Sequence, residues 1–176
     1  EIMAPAGDFV CLSAALNAGA DAVYFGVKGF NMRAGAKNFG ASEIREVARL
    51  CHRKGVKAYI TLNTIYYESE LKKLDALLKK IAAAKIDAVI AWDFSVISAA
   101  KKYGLEVFLS TQASVSNSAS VLEYRKKFGI KRFVLARECS IDDILKIKKA
   151  VAREIGAKNE IKIEVFAHGA MCVSQS

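Results

Sequence analysis

Residues 54–63 read Lys54-Gly55-Val56-Lys57-Ala58-Tyr59-Ile60-Thr61-Leu62-Asn63. A glycine suited to a left-handed helix stop is followed by an apolar and β-branched run, which ends in a polar side chain. A run this apolar has no face to give to water, so it fits a strand covered on both sides, as in a parallel sheet flanked by helices. The same design occurs upstream at Ala18-Gly19-Ala20-Asp21-Ala22-Val23-Tyr24-Phe25-Gly26. Downstream it recurs at Lys85-Ile86-Asp87-Ala88-Val89-Ile90-Ala91-Trp92-Asp93 and at Tyr103 to Gln112, then at Phe128 to Arg137 and Ile161 to Gly169, for six copies in all. Helical patterns separate the copies: Phe9 to Ala18, Ser42 to Lys54 with Ser42 as cap, Glu68 to Ala84, Phe94 to Tyr103, Asn117 to Phe128, and Ser140 to Ile155. Ser140-Ile141-Asp142-Asp143 opens the last with a capping serine and acids in the first turn. With Ile2-Met3-Ala4 as an opening strand, the reading is seven strands and six intervening helices.

Strict βα alternation means a parallel sheet, either closed as a (β/α)8 barrel or open and doubly wound. An open dinucleotide-binding sheet carries GxGxxG after its first strand, and Pro5-Ala6-Gly7-Asp8 is not that sequence. The expected fold is therefore α/β, a (β/α)8 TIM-type barrel. It is expected to be incomplete in this chain, since about seven strands are present and a full barrel takes eight strands and typically about 250 residues.

The 176 residues amount to one domain or most of one, and 53% apolar against 26% charged composition excludes disorder as the dominant state. No apolar run is long enough for a membrane span, and Glu1-Ile2-Met3-Ala4-Pro5 predicts no signal peptide at this start. The net charge is +9, spread evenly: residues 1–88 hold 13 bases and 9 acids, and residues 89–176 hold 14 and 9. A cationic field without a basic tail favours anionic partners such as RNA or small polyanions, although it fits a solvated cationic surface too. Cys11, Cys51, Cys139 and Cys172 form no CxxC pair, so reduced thiols and a cytoplasmic location are expected. With His52 and His168 they supply no closely spaced set of zinc ligands.

In a barrel, side chains at the C-terminal strand ends face the site whatever the chemistry. Those ends are Gly7, Gly26, Asn63, Asp93, Gln112, Arg137 with Glu138, and His168 with Cys172. The list is polar where the strand bodies are apolar, which points to a polar pocket at the mouth. The loop from Phe30 to Phe39 adds two amides, Asn31 and Asn38, and two cations, Arg33 and Lys37, suited to a carboxylate or phosphate. Arg137 is expected to face the ligand, with Glu138 turned elsewhere. His168 and Cys172, four residues apart at a strand exit, fit a nucleophile dyad, a pair of metal ligands, or a buried inert thiol beside a histidine.

At this last segment the chain resembles peptidase family U32, the collagenase-like proteases. The family signature is a glutamate, an aromatic two residues on, a Gly-Ala or Gly-Ser pair, an aliphatic residue and a cysteine. Glu164, Phe166, Gly169, Ala170, Met171 and Cys172 match it in order. The resemblance extends to Met3-Ala4-Pro5-Ala6-Gly7, Gly19 to Tyr24, Phe30-Asn31-Met32-Arg33, Ser110-Thr111-Gln112, Asn117 and Leu135-Ala136-Arg137-Glu138, and so covers essentially the whole chain. The signature goes on to a second cysteine, and the sequence stops at Ser176 before it. The resemblance thus implies that residues 1–176 are the N-terminal catalytic-barrel portion of a U32-family protein, with the rest of the barrel and a cysteine-rich segment after 176.

The resemblance also implies chemistry. Relatives include prephenate-dependent or oxygen-independent hydroxylases of a tRNA wobble uridine, a ribosomal RNA cytidine or the ubiquinone ring, and several bind a [4Fe-4S] cluster through four cysteines. By the motif match Cys172 is the first cluster ligand, and the remaining ligands would lie past Ser176, so the 176 residues alone are not expected to hold a cluster. The favoured expectation is an iron–sulfur-dependent RNA hydroxylation enzyme, acting on a tRNA or rRNA base with an anionic co-substrate such as prephenate. His168, Arg137 and Glu138 are its candidate catalytic residues, Arg33, Lys37, Asn63, Asp93 and Gln112 its substrate-binding residues, and Cys172 its metal ligand. A collagenase-like peptidase using Cys172 and His168, and a non-catalytic subunit partnering another family member, stay open beside it. No HExxH is present, and no symmetric pair of carboxylates, so zinc and aspartic protease chemistry are disfavoured.

Overall fold

Seven strands and six helices alternate along the residues described by the computed structural model, which are 1–32, 37–156 and 161–169. They run β1 (Met3–Pro5), α1 (Phe9–Asn17), β2 (Ala22–Gly26), α2 (Ile44–Arg53), β3 (Lys57–Leu62), α3 (Leu71–Ala83), β4 (Ala88–Ala91) and α4 (Phe94–Lys102). They continue with β5 (Val107–Leu109), α5 (Ser118–Phe128), β6 (Arg132–Val134), α6 (Ile141–Ile155) and β7 (Lys162–Glu164). The chain divides into two compact units, Glu1–Glu106 and Val107–Ser176. In the first, β1 to β4 pair in sequence order and all parallel, with Ala4 beside Val23, Val23 beside Ala58, and Ile60 beside Val89. In the second, β5, β6 and β7 do the same, with Phe108 beside Arg132 and Phe133 beside Ile163. Each crossover inside a unit is a helix, as parallel neighbours require. This is the alternating parallel architecture expected of a TIM-type barrel.

Local chemistry sets the element boundaries. The Asp8 carboxylate accepts from Cys11 N at 2.8 Å to open α1, and Asn117 accepts from Ser120 N at 2.9 Å to open α5. Ser140 and Asp143 form a reciprocal capping box at the start of α6, as the sequence suggested. Helix α2 differs from expectation. It starts at Ile44 rather than Ser42, because Glu43 holds a helical backbone conformation and its Oε2 accepts from Gly40 N at 2.6 Å, closing a turn in front of the helix. At the C-terminal ends, Gly19, Gly55, Gly104 and Gly129 all have positive φ, between 63° and 81°. The turn before β4 has no glycine, and Lys85 takes the left-handed conformation itself at φ 59°, a strained choice for a residue with a Cβ.

The first unit carries its core between sheet and helices. Val23, Phe25, Ala58, Ile60, Val89 and Ala91 on the strands, and Val47, Cys51, Leu74, Leu78 and Ile97 on the helices, are at most 1% exposed. Helix α2 packs on β3 and α4 on β4. In the second unit Leu109 and Phe133 are fully buried, with Val121 and Val151 supplied by α5 and α6. Strand β5 is shorter than its apolar run, since Thr111–Ala113 turn into a 3-10 helix that ends at Ser114 with φ 50°.

Candidate active site

Phe39 fixes the long loop that follows β2. It is 2% exposed and meets Phe9 and Phe25 edge to face, at 5.1 and 5.4 Å between ring centroids. Phe39 N donates to Gly26 O at 3.1 Å and Lys28 N donates to Phe39 O at 3.0 Å, so the returning loop lies alongside the strand's extension. Burial of one such ring stabilises by roughly 1.5–3 kcal/mol, enough to hold the loop against its entropy.

A cleft of about 610 Å³ opens beside this anchor at the C-terminal ends of the first strands. Gly7, Asp8 and Phe9 line it from the first βα turn, Lys28, Gly29, Asn31, Lys37, Asn38 and Phe39 from the long loop, and Glu43 and Thr64 complete it. Two glycines make the loop's approach possible. A Cβ on Gly7 would sit 2.8 Å from the Lys37 carbonyl oxygen, and one on Gly26 would overlap the Asn31 amide. In the space so left, Asn31 Nδ2 donates to Asn38 Oδ1 at 2.8 Å. The Lys37 ammonium, on a side chain 82% exposed, lies 3.2 Å from Asp8 Oδ2. That carboxyl is lowered to a pKa of about 2, chiefly by the backbone hydrogen bond from Cys11 and also by Lys37. The cleft therefore keeps a fixed carboxylate and a mobile cation, with a second cation, Lys28, on its lining.

The other expected site residues divide by unit. In the first, Asn63 accepts from Met32 N through Oδ1 at 3.5 Å and from Trp92 Nε1 through its carbonyl at 3.1 Å, tying together the loops after β2, β3 and β4. Asp93 caps α4: its Oδ1 accepts from Ser95 N at 2.7 Å and from Ser95 Oγ at 2.6 Å. Both residues are engaged in shaping the mouth. In the second unit, the Gln112 side chain accepts from the Ser110 hydroxyl on the turn after β5. Thr111 Oγ1 donates to Leu135 O at 3.1 Å, and Ala136 N donates to Val115 O at 2.9 Å, which joins this turn to the end of β6. There Arg137 and Glu138 are both exposed, and the Arg137 guanidinium stands 4.2 Å over the Phe166 ring beyond β7. His168 is exposed on the same stretch. Arg33 and Cys172 lie outside the described residues.

One polar pair escaped sequence reasoning. Arg132, 7% exposed on β6, donates through Nε to Glu164 Oε2 on β7 at 3.0 Å, with its guanidinium 4.7 Å over Phe108. Its only trace in the sequence is an arginine inside an apolar strand run and a glutamate in the next run. Their pairing depends on strand register.

A [4Fe-4S] cluster takes four cysteine thiolates. Cys11 is exposed on α1, Cys51 is buried on α2 and Cys139 is half-buried before α6. Burial, with Asp87 nearby, pushes the Cys51 thiol up to about 11, which makes it inert. Among the described residues no three His, Cys, Asp or Glu side chains are grouped to hold a metal. The described cysteines do not fit a cluster on their own. Among the same residues no helix is long and apolar enough to cross a membrane.

Comparison with known proteins bears on this arrangement. The chain is 40% identical over 180 residues to a collagenase of Porphyromonas gingivalis, covering 100% of the chain and 43% of that protein. It is 36% identical over 178 residues to tRNA hydroxylation protein P1 of Bacillus subtilis, covering 100% of the chain and 40% of that protein. The chain thus spans about two fifths of the length of these relatives. Its fold matches the solved structure of the U32 peptidase Mk0906 with a TM-score of 0.69, over 94% of this chain and 66% of that one, at 13% identity. The profile of peptidase family U32 matches residues 7–176, and the chain belongs to that family.

Proposed function

We propose that this chain is the barrel portion of an RNA-modifying hydroxylation enzyme acting on a tRNA or rRNA base, with a small anionic co-substrate such as prephenate. The whole-length similarity to a tRNA hydroxylation protein carries this reading. The +9 charge and the cationic cleft at the strand ends support it. In this reading Lys37, Arg33 and Arg137 hold the co-substrate's carboxylates or an RNA phosphate. Gln112 meets a polar edge of the base, Asn63 and Asp93 shape the mouth, and His168 and Glu138 are available for proton transfer. A [4Fe-4S] cluster would supply redox chemistry in the longer protein, with Cys172 as one ligand. A protein working on RNA in this way acts in the cytoplasm, and a second family member as partner subunit is compatible with it.

The test is the longer protein purified without oxygen beside its Cys172→Ala variant, with iron, sulfide and visible absorption measured first. Nucleosides from RNA of cells with and without the gene are then compared by mass spectrometry. Iron and sulfide near four each per chain, lost in the variant, together with a gene-dependent hydroxylated base, are the expected results. The identity to a collagenase favours one competing reading, peptide cleavage by Cys172 and His168. An iron-free protein that cleaves gelatin and loses that activity in Cys172→Ala would select it and overturn the RNA reading.

A further inference from the structure

Four large apolar side chains project from three consecutive loops of the first unit. Met32 follows β2, Ile65 and Tyr67 follow β3, and Phe94 follows β4, and they are 58%, 59%, 68% and 57% exposed. Scattered apolar residues on a surface need no explanation, but these are gathered at the strand ends where ligands bind in βα folds. The loops that carry them are tied together. Asn63 bridges the Met32 backbone and Trp92, while Tyr66 donates its hydroxyl to Phe30 O at 3.3 Å and stacks on the Phe30 ring at 6.3 Å. Glu70 Oε2 accepts from Tyr67 N at 3.0 Å and so pins the backbone that presents the Tyr67 ring. The patch is therefore held in place before any ligand arrives.

Its surroundings indicate what covers it. Asn31 and Thr64 line the cleft, and their chain neighbours Met32 and Ile65 belong to the patch, so cleft and patch adjoin. Lys28 and Lys37 border the cleft, and exposed Lys72 and Lys73 begin the helix that follows Tyr67. Aromatic faces set among cations suit a chain of alternating flat rings and phosphates. Unpaired bases stack on aromatic side chains while lysines follow the backbone.

We propose that Tyr67 and Phe94 form a base-stacking platform for single-stranded RNA. Met32 and Ile65 widen its apolar floor, and nucleotides flanking the modified base rest there while that base enters the cleft. The proposal rests on the RNA reading above and adds to it the part of the surface that grips the strand.

The probe is a single-stranded oligoribonucleotide carrying 2-aminopurine, titrated into the longer protein at fixed salt. Stacking should quench its fluorescence. The Tyr67→Ala/Phe94→Ala double variant should bind about 10- to 100-fold more weakly and lose the quench. It should keep the salt dependence of binding, because no phosphate contact has been removed. Tyr67→Phe/Phe94→Tyr should restore both affinity and quench, which separates loss of stacking from loss of folding. Wild-type affinity and quench in the double alanine variant would overturn the platform and leave the RNA reading standing. Failure of the wild-type protein to bind the probe at low salt would overturn both. A double variant that binds RNA normally but changes oligomeric state would assign the patch to a protein partner instead.

Discussion

Asp8 shows how one side chain serves local structure and the cleft together. It caps α1 through Cys11 N and holds the Lys37 ammonium, and these contacts lower its carboxyl from 3.8 to about 2. A folded-state pKa below the unfolded value means stabilisation that is complete above the unfolded value and is lost as pH falls through the folded one. The advantage of wild type over Asp8→Asn in thermal midpoint should be constant above about pH 5 and shrink between 3.8 and about 2. Melting curves of the two proteins from pH 7 to 2 measure it, and a difference that stays level to pH 2 would disprove the assignment. An aspartate just ahead of a helical pattern is legible in sequence, because the cap is made within three residues. Its pairing with Lys37 joins residues 29 apart and is invisible there.

At the scale of elements, turn chemistry wrote most boundaries into the chain. Glycines with positive φ close four of the helices, and Asp, Asn and Ser open others, all within a few residues of sequence. Lys85 departs from that pattern, and its turn was still predictable from the apolar run behind it. Strands β6 and β7 carry the element-scale feature that was not legible, the Arg132–Glu164 pair at 9% and 16% side-chain exposure. Removing one partner strands a charge in a poorly solvated place, whereas replacing both with apolar side chains does not. Glu164→Leu should lower unfolding free energy by about 3–5 kcal/mol, and Arg132→Met/Glu164→Leu should recover most of that loss. Urea unfolding of the three proteins decides the matter, and a double variant no more stable than the single would show that the pair is not the unit being lost.

For the whole molecule, the charge excess lies evenly along the chain, so any RNA contact is spread over many lysines rather than held by a tail. Binding through about 6–10 phosphates would weaken roughly 10³–10⁵-fold between 50 and 200 mM salt. Filter binding of tRNA across that range measures the slope, and salt-independent binding would redirect attention to a small-molecule substrate. By itself the sequence determined the order of βα units, the parallel architecture and the family, since apolar runs, caps and glycine stops are local patterns that read the same wherever the chain goes. It also marked the strand ends as polar. Only the tertiary structure decided which of those ends meet: Lys37 with Asp8, Met32 and Trp92 with Asn63, Tyr66 with Phe30, Arg132 with Glu164. It assigned Asp93 and Asn63 to capping and bridging and set Phe39 as the anchor of the long loop. The reason is physical: each of these contacts joins residues about thirty positions apart, and strand register and side-chain packing, which no local pattern encodes, bring them within reach.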